Sequence, residues 1–178
     1  MSAISERYGK VSDDFNARID GVADDRWDDP APCEGWVARD VVSHLAEWLP
    51  GFYAGWSVDF PEASGDPVAD WAAVDTTLRA ALADPEVAAR QNDTPMGSMS
   101  FEDAVVTFGL GDVLVHTWDL ARATGQDEAL DPVEVHTVYE AMLPADEMIR
   151  GEHFGPKVAV PDDADEQTKL IAFVGRTP

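Results

Sequence analysis

Gly111-Asp112-Val113-Leu114-Val115-His116-Thr117-Trp118-Asp119-Leu120-Ala121-Arg122-Ala123-Thr124-Gly125 is the stretch whose reading decides the fold. Gly125 is a natural C-terminal helix stop, because glycine takes the left-handed conformation without steric cost. Upstream, Ser100-Phe101-Glu102-Asp103 has the form of a capping box with aspartate in its third helical position. Together these signals predict one long helix from about Phe101 to Thr124. At about 100° of rotation per residue, Asp112 and His116 lie on one face a single turn apart, and Asp119 shares that face.

Working outward, Ile4, Tyr8, Val11, Phe15 and Ile19 recur at helical spacing and mark a first helix. Asp25 to Trp36 holds two prolines and a glycine and reads as an ordered connecting loop. A second helix is expected from about Val37 to Trp56, kinked or split at Pro50-Gly51, with Val41, His44, Leu45 and Trp48 on its core face. Val68 to Ala83, carrying Trp71, Val74, Leu78 and Leu82, is a third helix stopped by Asp84-Pro85. Asp131-Pro132 occupies favoured N-cap and N1 positions for a further helix running to Arg150 and bent at Pro144. Phe154 to Pro161 reads as a short extended stretch and Asp165 to Val174 as a last short helix. No internal repeat or convincing strand alternation interrupts this pattern, so the fold class is all-α, in one domain spanning residues 1–178.

Composition bounds the partners. Twelve lysines and arginines face 35 aspartates and glutamates, a formal charge of −23, which disfavours phosphate-rich nucleic acid and anionic membrane surfaces. The acidic residues are scattered and read as a solvated surface. No apolar run approaches the roughly 20 residues that span a bilayer, and the N-terminus lacks a signal core, so a cytoplasmic protein is expected. Cys33 is the only cysteine, which excludes an internal disulfide and any multi-cysteine zinc site. It follows Pro32 in a loop with no cationic residue beside it in sequence, and a packing role is expected.

A carboxylate and an imidazole at i and i+4 suit a borderline divalent ion, but two protein ligands hold one weakly. His44 is the best third ligand, since its helix should turn an apolar face toward the helix of His116. Two histidines and one carboxylate leave coordination positions open, as catalytic sites require. Against this stands the plain reading of a histidine in an apolar stripe as a hydrogen-bonded core residue. Asp40 and His44 form a second pair of the same spacing, so spacing alone does not choose between Asp40 and Asp112. Position favours Asp112, because an aspartate in a first helical turn is already explained by free amides and the helix dipole. Asp119 is either an acceptor for an imidazole N–H or a surface charge. Trp36, Trp48 and Trp118 flank the candidate ligands and are the expected pocket walls, whereas His136 and His153 lie in polar surroundings and read as surface residues. Phosphate-loop, nucleophile-elbow and His-Glu-x-x-His signatures are absent, as are basic patches.

Two motifs carry a family resemblance. Pro32-Cys33-Glu34-Gly35-Trp36-Val37-Ala38-Arg39-Asp40-Val41-Val42-Ser43-His44-Leu45 resembles the first motif of the mycothiol-dependent maleylpyruvate isomerase N-terminal domain, within the DinB-like superfamily, and Gly111 to Gly125 resembles the second. The closing stretch from Val160 to Pro178 is similar to a single-domain actinobacterial branch. The resemblance implies a DinB-like four-helix bundle with additional short helices, holding a divalent metal, zinc first and nickel or iron otherwise, on His44, Asp112 and His116. It further implies mycothiol as cosubstrate, a small electrophile as substrate, and thiol transfer or isomerisation as the reaction. Asp119 or a water would then move a proton, and Arg122 would hold a carboxylate of thiol or substrate unless it forms a surface ion pair. Two departures point away from isomerisation: the isomerase's carboxylate is a glutamate, one methylene longer than Asp112, and its extra C-terminal domain has no counterpart here. Val37 also replaces the usual Ser/Thr helix cap, a local loss of about 1 kcal/mol. A non-catalytic binding module of the stress-response kind is the alternative, and a homodimer is among the expected states.

Overall fold

The computed structural model describes residues 2–94, 96–150 and 154–178, the side chains of residues 148 and 149 aside. Helix α1 (Ala3–Asp20) starts where Ser2 Oγ accepts the Ser5 N–H at 3.1 Å, and it buries the apolar stripe Tyr8, Val11, Phe15 and Ile19. Helix α2 (Ala38–Tyr53) has no capping side chain at Val37, but Asp40 accepts the Val37 N–H at 2.8 Å. Pro50 does not split it. The helix runs on to Tyr53 and tightens into a 3₁₀ turn over Ala54–Trp56, so losing one interior N–H is tolerated where the buried Leu49 and Tyr53 anchor both sides.

Helix α3 (Pro67–Ala83) is capped by Asp66, and the one-turn α4 (Pro85–Ala88) by Asp84. Next comes a feature the sequence does not announce, an antiparallel hairpin of β1 (Gln91–Thr94) and β2 (Gly97–Ser100). Its strands are four residues long, polar and largely exposed, so they carry no alternation of apolar residues to read. Ser100 then caps α5 (Phe101–Ala104), accepting the Asp103 N–H as the capping-box spacing implies.

The expected long helix is one continuous rod with a defect. A π-helical turn over Val105–Gly109 separates α5 from α6 (Leu110–Thr124), which ends at Gly125 with φ of 70°. The buried Tyr53 hydroxyl supplies the cause: it points at Ala104 O at 3.5 Å and fills the space a side chain at Gly109 would need. A polar group inserted into the backbone ladder is a standard origin of such a bulge.

Helix α7 (Pro132–Met142) breaks rather than bends near Pro144, passing through a 3₁₀ turn (Leu143–Ala145) into α8 (Asp146–Ile149). The extended stretch expected after Phe154 forms only an isolated bridge between Arg150 and Phe154. His153 lies outside the described residues. The last helix, α9 (Glu166–Phe173), packs against α7, with Tyr139 and Phe173 edge to face at 5.9 Å.

The four long helices form a ring in which α1 touches α6 and α3, and α2 touches α3 and α6. Phe15 and Trp71 close its core edge to face at 5.0 Å. The chain is therefore all-α in architecture, a four-helix bundle with short added helices and one small hairpin. Its consequence for function is that α2 and α6 are neighbours. Among the described residues no helix is long and apolar enough to cross a membrane.

Candidate metal centre

Three pieces of chain meet at one end of the α2–α6 seam. The first is the turn Cys33-Glu34-Gly35-Trp36, closed by a 3.1 Å bond from Trp36 N–H to Cys33 O. Its third residue, Gly35, has φ of 79°, a backbone angle that a type II turn requires and that glycine supplies. Pro30 and Val37 bridge across its base, so Cys33 and Trp36 are carried toward the bundle while Ala38 opens α2. The second piece is α2, which presents His44 and, one turn on, Trp48. The third is α6, which presents Asp112, His116 and Asp119 along one face.

Asp112 stands between the two imidazoles. His44 Nε2 is 3.3 Å from one of its oxygens and His116 Nε2 is 3.4 Å from the other. Trp48 Nε1–H donates to Asp112 Oδ2 at 2.9 Å and fixes the carboxylate. His116 Nδ1 is 2.9 Å from Asp119 Oδ2, which turns Nε2 toward Asp112, the usual way an outer carboxylate orients a ligating imidazole. The Trp36 ring stacks on His116 at 5.9 Å between centroids and tilts over His44 at 5.0 Å. Exposure falls steeply through the cluster: the His44 side chain is 34% exposed, His116 3% and Asp119 0%.

One atom each from His44, Asp112 and His116 lie within 4.8 Å of one another. Ligand bonds of 2.0–2.2 Å in a tetrahedron require ligand atoms about 3.3–3.5 Å apart. The two imidazoles face different oxygens of Asp112, and with one donor atom from each residue within 4.8 Å of the others the three need close only modestly to reach that edge. The imidazole-to-carboxylate separations are longer than the roughly 2.7–2.9 Å of a good charge-assisted hydrogen bond. Two imidazoles and a carboxylate brought this close are a donor set that a small divalent cation accepts.

Electrostatics follows the same layout. Burial pushes the Asp112 carboxyl up, but the facing imidazolium of His116 and the contact with His44 outweigh it and hold Asp112 far below the usual carboxylate range. For His116, burial pushes down, while Asp112 and Asp119 on its two nitrogens win and raise it well above an ordinary histidine. Asp119 is lowered by His116 and by Arg176 against its own burial. These directions favour a proton on His116 between the two carboxylates, with which a cation at Nε2 would compete.

Asp40 takes the place position assigned it, accepting the Val37 N–H in the first turn of α2. Trp36 and Trp48 line the centre, but Trp118 does not. Two residues after His116, it points about 200° away around the helix. There the Arg122 guanidinium stacks over its ring at 4.5 Å. Arg122 itself pairs with Glu128 at 2.6 Å, the surface ion pair that is the alternative to substrate binding. Asp119 is not poised to exchange protons with a substrate either. It has no solvent-exposed surface, and His116, Arg176 and Cys33 surround it. His136 is exposed and pairs with Glu166 at 2.9 Å.

Two residues escaped the sequence. Arg176 Nη2–H donates to Asp119 Oδ2 at 2.8 Å and lies 3.3 Å from Cys33 Sγ. Cys33, expected to be a packing residue with no cation nearby, is instead part of a polar cluster of Cys33, His116 and Asp119 whose donor atoms lie within 4.8 Å. Neighbours in sequence could not reveal the cation, which comes from 143 positions away.

Residues 8–56 match the family model of the mycothiol maleylpyruvate isomerase N-terminal domain. That span runs from α1 through α2 and includes Cys33, Trp36, His44 and Trp48, whereas Asp112 and His116 lie beyond it. Two relatives, the uncharacterized proteins Rv0738 and MT0763 from two strains of Mycobacterium tuberculosis, are each 29% identical over 177 residues, covering 96% of either chain. No solved structure matches. Motifs and match agree over residues 8–56, which are similar to the mycothiol maleylpyruvate isomerase N-terminal domain, and the helical bundle is of the kind that likeness implies.

Proposed function

We propose that this protein binds one divalent metal ion on His44, Asp112 and His116 and uses it to transfer a low-molecular-weight thiol, mycothiol by its family likeness, to a small electrophile. The observation that carries this reading is the convergence of one donor atom each from two imidazoles and a carboxylate within 4.8 Å of one another. Zinc suits two imidazoles and a carboxylate best, with nickel or iron next. An ion held by His44, Asp112 and His116 would supply the Lewis acidity that makes a thiol more acidic.

The chain's own side chains do the rest. Trp48 and Asp119 lock Asp112 and His116 against rotation, so two of the three donors are set before any ligand arrives. His44, a third exposed, marks the side from which thiol and electrophile enter. Trp36 and Trp48 offer half-buried aromatic faces on that side, fit to hold the apolar part of a small molecule. The thiol gives its proton to solvent and its sulfur forms the new bond to the electrophilic carbon, while the electron pair of the bond displaced at that carbon moves onto the neighbouring atom or leaving group, which takes up a proton from solvent.

The test has two stages. Protein purified without a histidine tag should contain close to one equivalent of metal, and His44→Ala, Asp112→Ala and His116→Ala should each lose it. Metal retained in all three rejects the site. Holo-protein incubated with mycothiol and a panel of electrophiles should then form adducts at a rate that vanishes on chelation. No thiol binding at millimolar concentration would leave a metal-binding module without catalysis.

A further inference from the structure

His116 has a donor cluster on each side of its ring. On the Nε2 side stand Asp112 and His44; on the Nδ1 side stand Asp119 and Cys33. The inner set, a thiol, a carboxylate and an imidazole, is chemically the better zinc site, since thiolate is the softest donor in the molecule. It is also the more buried. Something must keep an ion out of it, and the candidate is already in place. Arg176 reaches Asp119 with Nη2 at 2.8 Å and Nε at 3.2 Å, and the same Nη2 lies 3.3 Å from Cys33 Sγ.

The position of Arg176 is built, not incidental. Helix α9 ends with Gly175 at φ of 88°, the Gly175 N–H bonded to Ala172 O and the Arg176 N–H to Ile171 O, both at 3.1 Å. That is the Schellman arrangement, which fixes the direction of the residue after the glycine. A side chain at Gly175 would press on Pro156 O, so the turn tolerates little else. Arg176 Nη1–H also donates to Val174 O at 3.0 Å, and the side chain is only 12% exposed.

We propose that Arg176 is a positioning residue of the metal centre: its guanidinium takes the place of a cation within Cys33, Asp119 and His116 Nδ1, and so confines a divalent ion to His44, Asp112 and His116 Nε2. This rests on the metal reading above. By neutralising Asp119, Arg176 lets that carboxylate hold His116 in one orientation without drawing an ion inward. Arg176→Met removes the fork and leaves an inner cluster of a thiol, a carboxylate and an imidazole nitrogen without a cation.

Cobalt(II) titration of the metal-free protein separates the outcomes. Wild type should bind one equivalent with no thiolate-to-cobalt charge-transfer band. Arg176→Met should bind the outer set about 10–100-fold more weakly, the usual effect of losing a group that orients a ligand. It should also show the thiolate band, which adding Cys33→Ser abolishes. Arg176→Lys, which keeps the charge without the fork, should recover part of the affinity. Cys33→Ser alone should load as wild type does. An Arg176→Met protein, or an Arg176→Gln protein should the former not fold, that keeps wild-type affinity and spectrum overturns the proposal. So does loss of cobalt in Cys33→Ser. A wild type that binds no cobalt overturns instead the metal reading on which the proposal rests.

Discussion

Asp75 and Asp112 sit on opposite sides of the helix ring, one in the α1–α3 seam and the other in the α2–α6 seam, and their partners are of different kinds. Asp75 is closed off. Tyr8 Oη–H donates to it at 3.1 Å, Asn16 at 3.0 Å, and Arg79 Nε lies 3.0 Å from both of its oxygens. Arg79 in turn reaches Gly9 O at 3.2 Å and Asp13 at 2.7 Å, and also Ser12. Every lone pair of the carboxylate is used and its charge is neutralised by a group that cannot give up its proton. Asp112 has one firm donor, Trp48, and two imidazoles at 3.3 and 3.4 Å. The first carboxylate is an element of structure; the second is the one the proposed function assigns to a cation. Burial alone does not distinguish them, but donor type and distance do.

The sharpest way to break this contrast is to exchange each carboxylate for its amide. Asp112→Asn should strip stoichiometric metal, with affinity down by more than about 100-fold, since orienting groups alone account for 10–100-fold. The metal-free protein should lose no more than about 1 kcal/mol, because the amide oxygen still accepts from Trp48 and the amide N–H can donate to a facing imidazole nitrogen. Asp75→Asn should do the reverse. It leaves Arg79 without its main partner in a partly buried seam, at a cost of about 2–3 kcal/mol, below the range for a fully buried pair because Arg79 is a third exposed. For a chain this size that lowers the unfolding midpoint by roughly 5–10 °C, with metal content unchanged. Thermal unfolding and metal analysis on both variants decide it; equal effects on both measurements would erase the distinction.

A second, smaller effect follows from the proton on His116. Its pKa stands well above the ordinary value because Asp112 and Asp119 outweigh burial, so at neutral pH the metal-free centre is protonated there. Metal binding should release about one proton at pH 7, and apparent affinity should rise about tenfold per pH unit until the folded pKa of His116 is passed. Calorimetry in two buffers of different ionisation enthalpy measures that proton directly. A release near zero would mean that His116 is neutral before the ion arrives and that Asp112 is less strongly coupled to it than the geometry indicates.

How much of this was legible beforehand depended on how local each cause is. The stripe Tyr8, Val11, Phe15 and Ile19 gave α1 to within a residue at each end, because helical periodicity is a property of the segment itself. Asp112 and His116 share a face by arithmetic alone, and His44 joined them through the apolar pattern of α2. The π-helical turn was not legible, since it depends on the Tyr53 hydroxyl from another helix. The hairpin had no apolar alternation to betray it. Arg176 was invisible as a site residue because its partner Asp119 is 57 positions away and only the Gly175 turn aims one at the other. Arg122 misled for the opposite reason: it stands near the ligands in sequence, but Trp118 and Glu128 hold it on another face.

The smallest effect tests whether the environment, rather than the pair of groups, makes the α2–α6 centre special. His136 and Glu166 are also an imidazole and a carboxylate, bridging α7 and α9 at 2.9 Å, but both side chains are about half exposed. Hydrogen bonding to Glu166, with the Glu166 charge behind it, raises the His136 pKa above its ordinary 6.5. A raised histidine stabilises the fold fully below the unfolded pKa, and that contribution is lost as pH rises through the folded value. Stability should therefore decline slightly from about pH 6.5 upward through the folded pKa, and His136→Gln should remove that decline. Salt of about 1 M should remove it too, because exposed pairs are screened over a few ångströms. The same salt should leave proton release at His116 nearly intact, since that ring is 3% exposed and its carboxylate partners are shielded from ions. Equal salt sensitivity at the two sites would mean that the α2–α6 centre is as open to water as the surface pair, and its claim to hold a cation by preorganised donors would fail with it.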